Sequence, residues 1–345
     1  MRIVLACLLA SLGMADASGA QSLARLTAGA SSGAATLEEL GAIVAAAGDS
    51  RGHLYVLDAR GQVAALDRTL RIFGWFRARP GPNAFRDPAR LQELGDGRLA
   101  VLDRGRRRIT RMRLDEQTRQ LVQLDTIALT GFSTEDMCAL PGDRFLIYGV
   151  GEGMRLHVVD QRGRPVRAFA PADSSLSFAV QDQLATGIMG CDLARDVVVL
   201  TSAFGPRVEA FTISTGMPRW ADSLQPFRPP VVNIRPSGGM SIRSGPAGKS
   251  LIQAVFGVGT CMIFQTTYVS RTDGVTEDTV VTYVKSPRGE HAVTATVLPR
   301  LLSVAGNTVL SFPTASDTLY RVQALSIDGC METTPVQRSR SGGAP

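Results

Sequence analysis

The three histidines, His53, His157 and His291, are the side chains best suited to hold a transition metal or move a proton near neutral pH. His53 falls in a polar turn, His157 inside an apolar run and His291 in a polar loop, so no short spacing brings two of them to one ion. A hard cation needs oxygen instead, and calcium takes about six to eight such ligands. The acidic residues best placed for a common centre are Asp87, Glu135, Asp136 and Asp182. They are too few for that shell and suit turns and caps better. No Gly-x-Ser-x-Gly elbow and no phosphate-cradling loop is present, and Gly190-Cys191 has no base beside it. No metal or other cofactor is expected, with calcium the one ion left open.

Charge offers a second chemistry. The formal net charge is +6, and Lys249 and Lys285 are the only lysines. The densest run is Arg104, Arg106, Arg107, Arg108, Arg111 and Arg113, and Arg60 and Arg207 stand in corresponding loops. Planar guanidinium groups match carboxylate, sulfate and phosphate. Trp75, Phe76, Phe85 and Phe204 lie close enough in sequence to flank a ligand or to plug gaps in a core. The candidate ligand-binding set is therefore Arg60, Phe85, Arg104, Arg106, Arg107 and Arg207. A solvated arginine-rich surface is the competing reading. Arginine bias of this kind also follows from GC-rich coding sequence, and export argues against nucleic acid as the partner.

The elements that would position these residues repeat. Asp49-Ser50-Arg51-Gly52-His53-Leu54-Tyr55-Val56-Leu57-Asp58 is answered by Gly95-Asp96-Gly97-Arg98-Leu99-Ala100-Val101-Leu102-Asp103, each a polar glycine turn before an apolar run ending in Leu-Asp. Gly52 and Gly97 are 45 residues apart, a period typical of repeat folds. Weaker copies follow at 139–148, 192–200, 246–255 and 305–312. The turns carry the Gly, Asp and Asn that tight hairpins need, and the β-branched runs suit buried strands. Further strands read at 62–67, 108–115, 155–160, 207–212, 262–268 and 319–328. Fourth strands read at 70–73, 121–129, 166–170, 218–221 and 279–284. Innermost strands are placed near Gly41, Pro88, Thr134, Thr186, Arg235 and Val293. Four strands in each of six units predict an all-β six-bladed β-propeller with four-stranded antiparallel blades. The last unit lacks a fourth strand. Residues 22–27 are placed to supply it, so that an N-terminal strand closes the ring and hides an edge.

The ends read differently. Met1-Arg2, an apolar run and small residues near 15–20 have the layout of a secretory signal peptide. Residues 1–20 are assigned to that signal, 21–332 to one propeller domain and 333–345 to a disordered tail. No other apolar run is long enough for a membrane helix. Four of the five cysteines lie beyond the signal, and an oxidising compartment favours pairing. Cys138 lies four residues before Gly142, and Cys191 lies as far before Arg195-Asp196. Equivalent places on neighbouring innermost strands face each other near the axis. The expected bridge is therefore Cys138–Cys191, with Cys261 and Cys330 a second pair or free thiols.

Several motifs together resemble bacterial secreted propellers related to the NHL-repeat family. They are the two Tyr/Ala-Val-Leu-Asp runs, Arg108-Ile109, and Phe73-Gly74 followed by Arg79-Pro80-Gly81-Pro82-Asn83-Ala84-Phe85-Arg86-Asp87-Pro88. Asn83 and Arg79 depart from the glycine and acidic residue usual there. The likeness covers about residues 40–170. It implies the propeller fold; some such proteins are lyases with a histidine-held channel metal, and others are calcium-dependent lactonases. Because propellers host unrelated activities, the expected function rests on the residues. It is a secreted or periplasmic binding or scaffold propeller, recognising a protein, peptide or anionic glycan through its loop-bearing face. The alternative is a metal-dependent hydrolase or lyase with its site at the channel mouth.

Overall fold

The computed structural model describes residues 26–28, 34–36 and, with short gaps, 39–327. Two short strands come first, β1 (Leu26–Ala28) and β2 (Ala34–Thr36). Four-stranded antiparallel sheets then follow in chain order. The first holds β3 (Ile43–Gly48), β4 (Leu54–Asp58), β5 (Val63–Leu66) and β6 (Ile72–Phe76). The second holds β7 (Pro88–Gly95), β8 (Arg98–Asp103), β9 (Arg108–Asp115) and β10 (Gln120–Ala128), and touches the first edge to edge where Gln120 meets Trp75. The third holds β11 (Asp136–Leu140), β12 (Arg144–Gly151), β13 (Met154–Val159) and β14 (Pro165–Pro171), and helix α1 (Phe178–Leu184) follows it. The fourth holds β15 (Gly187–Asp192), β16 (Val197–Ser202), β17 (Arg207–Thr212) and β18 (Pro218–Ser223). After the hairpin β19 (Val231–Ile234) and β20 (Met240–Arg243) comes a sheet of β21 (Lys249–Val258), β22 (Cys261–Thr272), β23 (Val275–Lys285) and β24 (His291–Val293). The last sheet holds β25 (Arg300–Ala305), β26 (Thr308–Phe312) and β27 (Leu319–Ile327). Both β1 and β2 pair antiparallel with β27, Leu26 lying opposite Ile327 and Ala34 opposite Arg321.

The second strands explain why the apolar runs are continuous. Every residue of β4 is buried, as are 99–103 of β8. A strand covered on both faces needs no polar alternation. The core is accordingly a series of inter-sheet layers. Tyr55 and Leu57 of the first sheet pack with Leu99, Val101 and Met112 of the second. Leu102 and Ile109 meet Phe145 and Ile147 of the third. Leu146 and Leu156 meet Val198 and Leu200 of the fourth, and Val199 and Val208 meet Phe264 and Tyr283 of the fifth. The first strands touch in a closed cycle, β3 to β7, β11, β15, β21, β25 and back to β3. Four-stranded sheets around an axis in this way are the β-propeller architecture.

The repeated Leu-Asp has a structural role that its spacing does not reveal. Asp58 and Asp103 are fully buried polar residues. Asp58 accepts hydrogen bonds from the N–H groups of Gly41, Arg60 and Gln62 at 2.8–2.9 Å. Asp103 accepts from the N–H groups of Asp87 (2.9 Å) and Arg86 (3.2 Å) and pairs with Arg108. Each carboxylate thus ties the turn after a second strand to the loop that enters its first strand. In the fourth sheet the Thr201 hydroxyl instead donates to the carbonyl of its cross-strand partner Ile188 at 2.8 Å.

The sequence reading needs correction in the last third of the chain. Residues 249–258 form the innermost strand of their sheet, not the second, and 262–268 and 279–284 belong to its second and third strands. The innermost strand expected near Arg235 is displaced by the β19–β20 hairpin, whose two strands pair with each other and, among the described residues, with no other strand. His291 and Val293 lie in the fourth strand of that sheet, so the next innermost strand begins at Arg300. The cause is a redundancy of turn signals. Glycines occur both before Lys249 and between β21 and β22, and propensity cannot say which turn starts a sheet. Residues 1–25, where the signal and most of the closing strand were placed, and the tail 333–345 lie outside the described residues.

Candidate functional site

Antiparallel alternation brings the start of each first strand and the turn after each second strand to one face. Backbone hydrogen bonds repeat that junction: Ala59 to Ala42, Arg104 to Asp87 and Ala203 to Thr186, at 2.7–2.9 Å. The same face receives the long connections 77–87, 172–186 with α1, and 224–248 with the β19–β20 hairpin. The first strands enclose an axial cavity of about 310 Å³ lined by small residues such as Ala46, Gly48, Ala139, Gly190 and Gly257, with Arg90, Gln92 and Glu93 supplying polar groups.

Two linked charge groups sit where β7, β11 and β15 begin. Arg90 lies 3.4 Å from Asp136 and reaches Met189 O at 3.3 Å. Asp136 accepts from Met189 N and Met137 N, both at 2.8 Å. Burial pushes the Asp136 carboxyl up, and Arg90 and the two N–H donors oppose that rise. Beside it Arg104 donates to both oxygens of Asp87, at 3.0 and 3.2 Å, and lies 3.6 Å from Glu135. Burial pushes Glu135 up to about 7 despite Arg104, and Asp182, Asp87 and Asp136 push the same way. One oxygen of Asp182, on α1, is buried without a hydrogen bond. Arg90 was not singled out from sequence. The available signal was its alternation with Gln92 between Ala89 and Leu91 on one strand.

The raised Glu135 has a thermodynamic consequence. An unfolded glutamate titrates near about 4.3, so between that value and about 7 the folded chain holds a proton that the unfolded chain has released. Stability therefore falls as pH rises through this window and levels off above it. Glu135→Gln is expected to flatten that part of the profile, read from urea midpoints at about pH 5 and about pH 8.

The sequence-selected ligand residues are only partly gathered. Phe85 packs over Gly61, next to Arg60, and lies under Arg108, 5.7 Å from the guanidinium carbon to the ring centroid. Arg106 donates to Ala84 O at 2.8 Å, so the 84–87 segment joins Arg60, Phe85, Arg104 and Arg106 into one patch. Arg107 is exposed beside them, with φ at 48°. Arg207 lies in the fourth sheet and pairs with Glu209 at 3.0 Å. Arg60 and Arg104 are likewise compensated, by Asp58 and by Asp87 with Glu135. Phe76 and Phe85 pack against the core layer between the first two sheets. His157 is buried and stacked on Phe132 at 4.4 Å, while His53 bonds Asp49 at 2.9 Å. Among the described residues no three His, Cys, Asp or Glu side chains converge as a metal set. The mouth carboxylates face arginines instead, which does not fit a calcium shell.

Below the mouth, Cys138 and Cys191 are joined, with Cα atoms 6.3 Å apart, as the repeat geometry predicted. The bridge links the first strands of neighbouring sheets, beside the Arg90–Asp136–Met189 contacts. Cys261 is also disulfide-bonded, and Cys330 lies outside the described residues.

No helix among the described residues is long and apolar enough to cross a membrane. No known protein family matches this chain, and no curated protein matches it. Solved structures do. A member of the DUF4221 family from Bacteroides vulgatus is similar at 8% identity and a TM-score of 0.56, over 89% of this chain and 99% of that one. A predicted exported protein from Bacteroides fragilis is similar at 10% identity and a TM-score of 0.56, over 89% and 96%. Virginiamycin B lyase from Staphylococcus aureus is similar at 11% identity and a TM-score of 0.50, over 84% and 98%. At such low identity these likenesses speak to fold alone, and the fold they share with this chain is the β-propeller.

Proposed function

We propose that the chain is a secreted or periplasmic six-bladed propeller, closed by its N-terminal strand, that binds a protein, peptide or anionic glycan through its loop-bearing face. The carrying observation is the patch built on the 84–87 segment. Among the described residues Arg106 donates to a carbonyl and neither it nor the exposed Arg107 has a carboxylate partner, so both carry their charge beside Phe85. Export is supported by the Cys138–Cys191 bridge, since disulfides persist in oxidising compartments, and by the exported relative of the same fold. Six blades are supported by the cycle of first strands, and closure by β1 beside β27. The reading retains residues 1–20 as the signal, 21–332 as one domain, 333–345 as a tail and a distant relation to NHL-repeat propellers. Arg60 and Arg104 remain in the proposed binding set as neighbours, and Arg207 as a residue of the same face in the fourth sheet, all three with charge already shared with carboxylates.

The test is an array of sulfated glycans and acidic peptides, probed with the wild-type chain and with Arg106→Ser/Arg107→Ser. The variant is expected to lose binding and to show a flatter salt dependence, because exposed charges are screened within about 10 Å at 0.1 M salt. Its stability should move by no more than about 0.5 kcal/mol. Arg104 is left intact, because its removal would strip Asp87 and Glu135 of their partner. Equal binding by both proteins would remove this face from the proposal. Closure has its own check: deleting residues 21–30 is expected to lower the melting temperature of the whole ring, because it opens the β27 edge.

A second reading rests on Glu135, a carboxyl near its titration point in the channel mouth. That is a property suited to general acid–base catalysis, and one relative of the fold is a lyase. A lyase or hydrolase of this kind would lose turnover in Glu135→Gln while keeping substrate affinity, whereas a binding propeller would show no turnover to lose.

A further inference from the structure

On the opposite face Arg98, Arg164 and Arg195 are paired with Asp143, Asp160 and Asp192. There a groove of about 490 Å³ runs between the third and fourth sheets. Leu140 and Ile213 form its buried floor, and Val166 and Leu193 stand on its walls at 58% and 48% exposure. Large apolar side chains so exposed along one concave surface mark an interaction site more often than a bare monomer surface. Two cations line it, Arg144 and Arg167. Arg144 donates to Pro141 O at 3.2 Å, and Arg167 donates to the carbonyls of Ile213 and Ser214 and lies over the Phe169 ring at 5.2 Å. These are neutral partners, which orient a guanidinium without cancelling its charge. Arg60, Arg104, Arg108 and Arg111 elsewhere are each paired with a carboxylate. The acid lining the groove, Asp196, accepts from the Ser214 N–H and hydroxyl, which fix it in place and leave its charge, so an acidic side chain is favoured beside the arginines and not beside Asp196.

We infer that this groove is a second docking surface, distinct from the loop-bearing face, and that its partner is an extended peptide segment carrying a large apolar side chain flanked by Asp or Glu. The apolar side chain fills the cleft between the sheets, and its acidic neighbours meet Arg144 and Arg167. Concavity favours a peptide over a membrane, because a flat lipid surface cannot reach Leu140 and Ile213 at the floor. Charge complementarity of this type speeds encounter and sets register, while the buried apolar anchor supplies most of the affinity.

A phage-displayed library of random peptides, panned on the folded full chain, tests this. Enriched peptides should share a large apolar residue with acidic neighbours, and one synthesised consensus peptide provides the probe for affinity measurement. Arg144→Glu/Arg167→Glu is expected to weaken that peptide roughly tenfold or more, and Leu193→Asp independently so. Arg106→Ser/Arg107→Ser should leave it unchanged, which separates this surface from the loop-bearing face. If the double variant is poorly folded by circular dichroism, Leu193→Asp and the salt dependence of the wild type decide. The inference is overturned by enriched peptides without acidic residues, by equal affinity in the folded variants, or by an empty selection. It is also overturned if phosphatidylglycerol vesicles bind through Arg144 and Arg167 in place of any peptide.

Discussion

Asp103→Ala is expected to lower the unfolding free energy by about 3–5 kcal/mol, as for removing one partner of a buried charge pair. The carboxylate is fully buried, and its loss strands the N–H groups of Arg86 and Asp87 and leaves the largely buried Arg108 guanidinium without its carboxylate. An unmet buried donor costs about 1–3 kcal/mol by itself. Asp103→Asn should cost less, since one oxygen still faces Arg86 and Asp87. Its amide group then opposes Arg108, so the loss stays measurable. Urea midpoints of the two variants and of Asp58→Ala are the check. A loss below about 1 kcal/mol for Asp103→Ala would show that water reaches the junction and takes over these hydrogen bonds.

Breaking the Cys138–Cys191 bridge should have an effect of similar size. The half-cystines are 53 residues apart in sequence, and loop-closure entropy for that length amounts to about 4 kcal/mol at 25 °C. Cys138→Ser/Cys191→Ser is expected to melt well below the wild type, and dithiothreitol, which also opens the disulfide of Cys261, should lower the wild type at least as far. The neighbouring Arg90–Asp136–Met189 contacts remain in both cases. If the double variant melts with the wild type, those polar contacts already hold the first strands of the third and fourth sheets together.

The two predictions draw on different kinds of information. The Leu-Asp repeat and the cysteine spacing were legible because they are local and periodic. A 45-residue period, glycine turns and apolar runs announce stacked sheets, and equal offsets from the turns place Cys138 and Cys191 on facing strands. The strand order of the sheet built from 249–293 was not legible, because two glycine-bearing turns compete there and only pairing with a neighbouring strand selects one. The charged residues divide in the same way. Their abundance on the 104–113 run is plain in the sequence, but their net effect is not. Whether an arginine keeps its charge depends on what lies within about 4 Å, where Coulomb energy is largest. Folding brings Asp87 and Glu135 to Arg104 from distant stretches, whereas Asp58 and Glu209 reach Arg60 and Arg207 from two residues away, and it holds Arg167 against the Ile213 and Ser214 carbonyls and the Phe169 ring. The sequence by itself determined that four-stranded sheets form and where most of them start. Only the tertiary structure decided which charges remain available to a partner, because that depends on neighbours from distant parts of the chain that meet when the ring assembles.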